Sequence, residues 1–361
     1  MRAAVMRNKT IVVDDVPAPE PGPGEVLVKS LACGICGTDL HALKHAETMI
    51  EVSRRTGGAF DIDLARDLVF GHEFCAELVD YGPATTRKIK TGARICSMPL
   101  ILRAGGAQTV GLSSDHPGAY GQYMRLTESL LLEVPNGLAT EHAALTEPMA
   151  VGLHAVAKAH IEGDEVPLVL GCGPVGLAVV AALKLKGIEP VVAADFSPRR
   201  RELARTMGAD VVVDPRRDSP FESWKQIAVY KDPAKGPKFE PPIPYAPYRP
   251  AVIFECVGAP GIVSAIMVGA PSRARIIVVG LCLEPDTYEP FFGISKELNL
   301  QFAIAYNGAE FAATLHNIAE GELKVEPLIT GHVGLAGVAG AFEELASPER
   351  HAKILVNPWK N

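Results

Sequence analysis

Apolar and polar positions change rhythm along this chain. Up to about residue 135 the apolar runs are short and strand-like: Ala3-Ala4-Val5-Met6, Ile11-Val12-Val13, the alternating Glu25-Val26-Leu27-Val28-Lys29, Leu68-Val69-Phe70, Cys75 to Val79, Ala93 to Cys96 and Gly121 to Leu126. Pro17, Pro19, Pro21, Gly22, Pro23 and Gly24 make a stiff connector among the first of them. No helix-length periodic stretch precedes residue 33, so a βαβ unit is excluded there and an all-β or α+β domain begins the chain. His41 to Asp67 reads as a loop or short helices, and Gly105 to Gly118 as a glycine-rich loop.

At Thr140 the rhythm turns helical. Thr140 is placed to cap, and Glu141 to Ala159 carries apolar residues at helical spacing. From 164 to 282 strand and helix alternate. Val166 to Leu170 is a strand, Leu177 to Leu185 a helix, and Pro190 to Ala194, Ala251 to Cys256 and Arg275 to Gly280 are further strands. That alternation predicts a doubly wound parallel sheet. Val166 to Leu185 is apolar enough to suggest a membrane span, but Gly171, Gly173, Pro174 and Gly176 interrupt it, and strand, tight turn, buried helix is the better reading. Asp214 to Pro250 is dense in proline and lysine and too long for an ordinary connection, so an extended arm on the surface or between subunits is expected. The tail gives a strand, a helix near Ala309 to Ala319, and a last strand at Lys353-Ile354-Leu355-Val356 that returns to the first domain. The expected division is therefore 1–150 completed by 290–361, with 151–289 as the second domain.

Composition narrows the function classes. The chain has 361 residues, 48% apolar and 21% charged, with a net charge of −7. That leaves no basic footprint for nucleic acid or an anionic membrane, and favours a small-molecule substrate. Seven scattered cysteines, an odd number, with no secretory signal at Met1 to Arg7, suit a reducing, cytoplasmic setting and thiolate ligands better than a disulfide framework.

The densest chemistry lies in Cys33-Gly34-Ile35-Cys36-Gly37-Thr38-Asp39-Leu40-His41, with Gly71-His72-Glu73 as an opposite wall. Thiolate and imidazole are zinc's preferred ligands, and Cys36 with His72 forms such a pair. Cys33 reads as a buried small residue; a Cys-x-x-Cys redox dithiol is disfavoured without a βαβ setting. Asp39 is a candidate acceptor for the free ring N–H of His72, or a helix cap. Glu147 lies in an apolar helix and needs a partner if buried, a metal being one. The second centre is Gly171-Cys172-Gly173-Pro174-Val175-Gly176, between strand and helix. Asp195 follows at the end of the next strand, about 20 residues on. Glycines let the backbone approach a pyrophosphate at the helix N-terminus. Asp195 would accept from ribose hydroxyls and repel a 2′-phosphate, favouring NAD over NADP. Arg199, Arg200 and Arg201 nearby keep NADP open as the alternative, their other readings being to flank the adenine or cap a solvated helix. Turns at Val257-Gly258-Ala259 and Val279-Gly280-Leu281 would line the nicotinamide side.

With these motifs placed, the chain resembles the zinc-dependent medium-chain alcohol dehydrogenases, in the style of the polyol, butanediol and threonine dehydrogenase branch. The resemblance rests on Cys36-Gly-Thr-Asp-Leu-His41, Gly71-His-Glu73, Glu147-Pro148, Gly171-Cys-Gly-Pro-Val-Gly176 and Lys353-Ile-Leu-Val. It implies a GroES-like catalytic domain and a Rossmann domain that binds NAD. It also implies one catalytic zinc on Cys36, His72 and either Glu73 or Glu147, with Asp39 behind His72. The loop that often holds a four-cysteine zinc has only Cys96 here, so no structural zinc is expected. Ala305 stands where polyol dehydrogenases are expected to carry arginine, which argues against a sugar alcohol. The expected activity is hydride transfer between a secondary alcohol or diol and NAD. Thr38 and His41 would move the proton, and a homodimer or homotetramer is expected. Rival readings are a zinc-free NADP-linked enone or quinone reductase and a non-catalytic nucleotide-binding protein.

Overall fold

A computed structural model describes residues 1–58, 60–135, 137–232, 234, 236, 247–347 and 349–360. Two compact units result. One comprises Met1–Glu147 with Phe311–Asn361, the other Pro148–Glu310.

The first unit opens with a hairpin of β1 (Arg2–Arg7) and β2 (Thr10–Asp15). β3 (Glu25–Gly34) then runs into α1 (Gly37–Thr56). β4 (Glu73–Tyr81), β5 (Arg94–Ser97), the hairpin of β6 (Leu100–Arg103) and β7 (Gly106–Thr109), β8 (Tyr123–Thr127) and β9 (Leu131–Glu133) follow. Of the loop or short helices expected after His41, the helical reading holds: α1 is helical over Gly37–Thr56, with a kink at His45 where φ and ψ leave the helical range. Its buried positions, Asp39, Ala42, Ala46, Met49 and Ser53, recur at three- and four-residue spacing. That is one helical face, but it is built from small and polar residues. Leu68 forms only an isolated bridge to Met6 rather than a strand.

Helices α2 (Thr140–Ala144) and α3 (Thr146–Lys158) lead into the second unit. The expected cap moves one residue, because Ala139 occupies the N-cap and Thr140 is the first helical residue. β10 (Val166–Leu170), α4 (Pro174–Leu185), β11 (Val192–Ala194), α5 (Pro198–Thr206), β12 (Val211–Val213), α6 (Pro220–Ala228), β13 (Ala251–Glu255), α7 (Ile262–Gly269), β14 (Arg275–Val278), α8 (Pro290–Lys296) and β15 (Asn299–Phe302) make the second unit. Among the described residues its strands form one parallel sheet in the order β12-β11-β10-β13-β14-β15. The order reverses between β10 and β13, so ligands are expected at the strands' carboxyl ends there.

The second unit departs from the sequence pattern at 290–310 and after Asp214. Residues 290–310 fall in the second unit, because β15 pairs with β14 as the sheet's edge, so the chain returns at Phe311. The stretch from Asp214 is not all an arm. α6 packs Trp224 into the sheet core, with its Nε1 donating to the Val166 carbonyl at 2.9 Å. Tyr248 bridges to Val229 and meets the Trp224 ring edge-on. Residues 233, 235 and 237–246, including Tyr245, lie outside the described residues.

The chain ends in the first unit. α9 (Gly308–Ala319) is followed by β16 (Ile329–Val333), α10 (Val338–Leu345) and β17 (Lys353–Val356). β17 is paired between β16 and β3, in the order β16-β17-β3-β4-β5-β9 with β8 beside β3. This returns the last strand to within reach of Gly34 and Ile35, at the start of the chemistry-bearing stretch. No described helix is long and apolar enough to cross a membrane.

Candidate active site

In the first unit, Cys36 is the N-cap of α1. Its sulfur accepts from the Thr38 N–H, and the Asp39 carboxylate accepts from the Cys36 N–H at 3.1 Å. This is a capping box with a thiol in the serine position, so the spacing Cys-Gly-Thr-Asp starts the helix and aims the thiol at once. His72 comes from the turn before β4. Its Nδ1 lies 3.3 Å from Asp39 Oδ1, and neither atom has another partner among the described residues. Asp39 therefore caps α1, and its other oxygen faces the His72 ring nitrogen without a hydrogen bond between them.

Cys36 and His72 lie near enough for each to influence the other's ionisation. Burial raises the Cys36 thiol's pKa, with Glu73 adding to the rise, so a thiolate there calls for a cation beside it. Burial opposes a charged His72, but Asp39 and Cys36 outweigh it and raise its pKa.

Glu73 is placed differently. Both its oxygens accept from Lys353 Nζ at 2.7 Å, with the two side chains 1% and 2% exposed. Lys353 also donates to the Ile35 carbonyl at 3.0 Å. A Cβ at Gly34 would collide with the Glu73 carboxylate, so glycine there makes room for the pair. Burial opposes the Lys353 ammonium, yet Glu73, Cys36 and Glu147 together raise its pKa. Lys353 is the functional residue that sequence reasoning passed over; a lone lysine inside Lys-Ile-Leu-Val was the available signal.

Among the described residues no three His, Cys, Asp or Glu side chains converge as they stand into a metal-holding set. The donors themselves fit zinc: a thiol, an imidazole, and a carboxylate 3.3 Å behind that imidazole. Thr38 and His41 lie three residues apart on α1, both partly exposed. Burial lowers the His41 pKa, with His45 and Lys44 adding to the effect. Cys96, in the region where a second zinc was discounted, is fully buried and donates to the Ala143 carbonyl.

In the second unit the glycine loop joins β10 to α4. Gly171 has φ +89°, and a Cβ there would meet Val257 and the Cys256 backbone. A Cβ on Gly176 would strike the Gly171 carbonyl. Gly173 is the N-cap and Pro174 the first residue of α4, which leaves the loop's amides at the positive end of the helix. Asp195 is buried at the end of β11. It accepts from the Cys172 N–H and the Ser197 N–H, both at 2.7 Å. The Arg200 guanidinium borders Gly173, whereas Arg201 pairs with Asp214 at 3.1 Å. Glu255, missed from sequence, ends β13. One of its oxygens accepts from the Val257 and Gly258 N–H groups at 2.6 and 2.8 Å. Its carbonyl accepts from Val279 and Gly280. The two turns expected beside the nicotinamide are thus fixed together at the switch point.

Family models match both units. Residues 22–136 match the alcohol dehydrogenase GroES-like domain, and residues 174–320 the zinc-binding dehydrogenase domain. The (R,R)-butanediol dehydrogenase of Neisseria gonorrhoeae is 30% identical over 375 residues, covering 99% of each chain. The chain belongs to the zinc-dependent medium-chain alcohol dehydrogenase superfamily. The crystal structure of 2R,3R-butanediol dehydrogenase from Bacillus subtilis is similar over 99% of both chains, with a TM-score of 0.80 and 27% identity. A Sinorhizobium meliloti protein described as a zinc-binding dehydrogenase, solved with NADP, has a TM-score of 0.79 and 26% identity over 99% of both chains. The sequence resemblance and the expected GroES-like and Rossmann folds hold, and the protein is an oxidoreductase of the alcohol dehydrogenase type.

Proposed function

We propose that this chain is a zinc- and NAD-dependent dehydrogenase of secondary alcohols or vicinal diols, with one zinc per subunit. The observation that carries the reading is Asp39, which accepts from the Cys36 N–H at 3.1 Å with one oxygen and lies 3.3 Å from His72 Nδ1 with the other, so that thiol and imidazole flank one carboxylate. The butanediol dehydrogenases similar to it over their whole length support the substrate class. Cys36, His72 and Glu147 would hold the zinc, since both Glu73 oxygens are engaged by Lys353.

When bound, zinc supplies a Lewis acid that acidifies a hydroxyl, and NAD supplies the hydride acceptor. The protein's own groups do the rest. Asp39 fixes the His72 tautomer. Thr38 and His41 take the proton outward. With its pKa lowered, His41 is neutral at physiological pH and able to accept. The glycine loop turns its backbone toward a pyrophosphate. Asp195 places negative charge where a 2′-phosphate would sit, while Arg200 beside Gly173 is the feature that could offset it.

The test is a screen of secondary alcohols, vicinal diols, polyols and aromatic alcohols with NAD and with NADP, on protein of measured zinc content. Turnover with NAD on a secondary alcohol or diol is expected. Activity is also expected to persist as pH falls into the ordinary histidine range, because a lowered His41 pKa keeps the imidazole neutral there. Full turnover by metal-free protein overturns the reading.

We further propose that the protein self-associates through β15. This is an edge strand. Around it Phe302, Ile304, Phe291 and Ile294 are 69%, 84%, 73% and 71% exposed. A bare apolar edge invites pairing, and a second copy across a two-fold axis satisfies both strands at once. Light scattering after gel filtration is expected to show a dimer or a multiple of it, and Ile304→Asp with Phe291→Asp a monomer. A monomeric wild type at micromolar concentration overturns this.

A further inference from the structure

We propose that Tyr120 is a positioning residue for the metal site, its hydroxyl clamping the Asp39 carboxylate so that Asp39 in turn orients His72. The inference rests on the zinc reading above and adds to it a group from outside the metal-binding motifs.

Tyr120 is fully buried. Its hydroxyl lies 2.7 Å from Asp39 Oδ2 and 3.4 Å from the Gly34 carbonyl. It has one proton to give, and the shorter, charged acceptor takes it. Packing alone does not call for the oxygen. The ring sits edge-on to Phe342, with centroids 6.2 Å apart, and fills the space beside Gly71, where a Cβ would come within 2.7 Å of the ring. A phenylalanine would make the same contacts without burying a hydroxyl, which costs stability unless it is bonded.

The two donors to Asp39 Oδ2 come from different parts of the fold. The Cys36 N–H belongs to the cap of α1. Tyr120 comes from the segment that hydrogen-bonds along 69–71, where Gly118, Ala119 and Tyr120 donate to Val69, Gly71 and Phe70. The 69–71 stretch it pairs with runs directly into His72. With Oδ2 held from both sides, Oδ1 is turned toward His72 Nδ1 at 3.3 Å. Tyr120 thus ties the ligand's orienting carboxylate to the stretch of backbone that delivers the ligand.

The experiment uses zinc-loaded wild type, Tyr120→Phe, Asp39→Asn and the double variant, with zinc release to excess chelator followed by a metal-sensitive dye. Losing an orienting partner of a metal ligand weakens metal binding about 10–100-fold; one link further out, Tyr120→Phe is expected to release zinc roughly 3–10-fold faster. The Asp39→Asn, Tyr120→Phe double variant should release no faster than Asp39→Asn, because the hydroxyl acts only through the carboxylate. Cobalt-substituted Tyr120→Phe should show shifted visible bands, a change that a purely packing role would not produce. Release unchanged in Tyr120→Phe, or effects that simply add in the double variant, overturn the inference alone. Wild type that retains no zinc overturns the zinc reading and this inference with it.

Discussion

Alanine at Cys36 or His72 is expected to abolish alcohol oxidation while leaving dinucleotide binding intact. The separation follows from the architecture. Both residues belong to the first unit, whereas the glycine loop, Asp195 and the Glu255-braced turns belong to the second, which has its own sheet and core. A Lewis acid held by the pair, as proposed, would be worth several kcal/mol of charge stabilisation, about a thousandfold or more in rate. Zinc content by mass spectrometry, NAD binding by calorimetry and initial rates read the three quantities separately. Thr38→Ala should behave differently: zinc stays and turnover falls roughly 10²–10⁴-fold, because on the proposed reading only a proton-handling group is lost. A Cys36→Ala protein that retains zinc and turns over within tenfold of wild type would remove the pair from the chemistry.

The second unit was legible because its signals are strong and local. Apolar runs fill both-face-buried strands, and a glycine loop between strand and helix has one physical explanation. Its far edge was not. Asn299 to Phe302 is a short edge strand with half its side chains exposed, so nothing in its pattern ties it to a sheet begun 130 residues earlier. The extent of α1, which starts at Gly37 within the chemistry-bearing stretch, was hidden for a related reason. Its inward face of Asp39, Ala42, Ala46, Met49 and Ser53 has helical spacing but little hydrophobicity, and spacing is read through hydrophobicity. In the site, Cys36, His72 and Asp39 could be paired from their types and order. Lys353, Tyr120 and Glu255 could not, since each acts on residues that only the tertiary fold brings near.

Lys353→Met is expected to destabilise the first unit strongly, because Lys353 is buried against Glu73. It leaves the Glu73 carboxylate 1% exposed and without its counter-charge. Breaking a buried pair by removing one partner costs about 3–5 kcal/mol, or roughly 6–20 °C in melting temperature for a unit of this size. Glu73→Gln should cost less, because the stranded ammonium keeps the Ile35 carbonyl and the influence of Glu147 and Cys36. Glu73→Gln with Lys353→Met should recover most of the loss, since no isolated charge remains. Thermal melts of the three proteins decide this; a Lys353→Met protein as stable as wild type would mean that the pair contributes nothing. The same set, extended by Glu147→Gln, distinguishes the two candidate third ligands. If Lys353 occupies Glu73, zinc survives Glu73→Gln and is lost from Glu147→Gln. The opposite pattern would make Glu73 the ligand and Lys353 a competitor that zinc displaces.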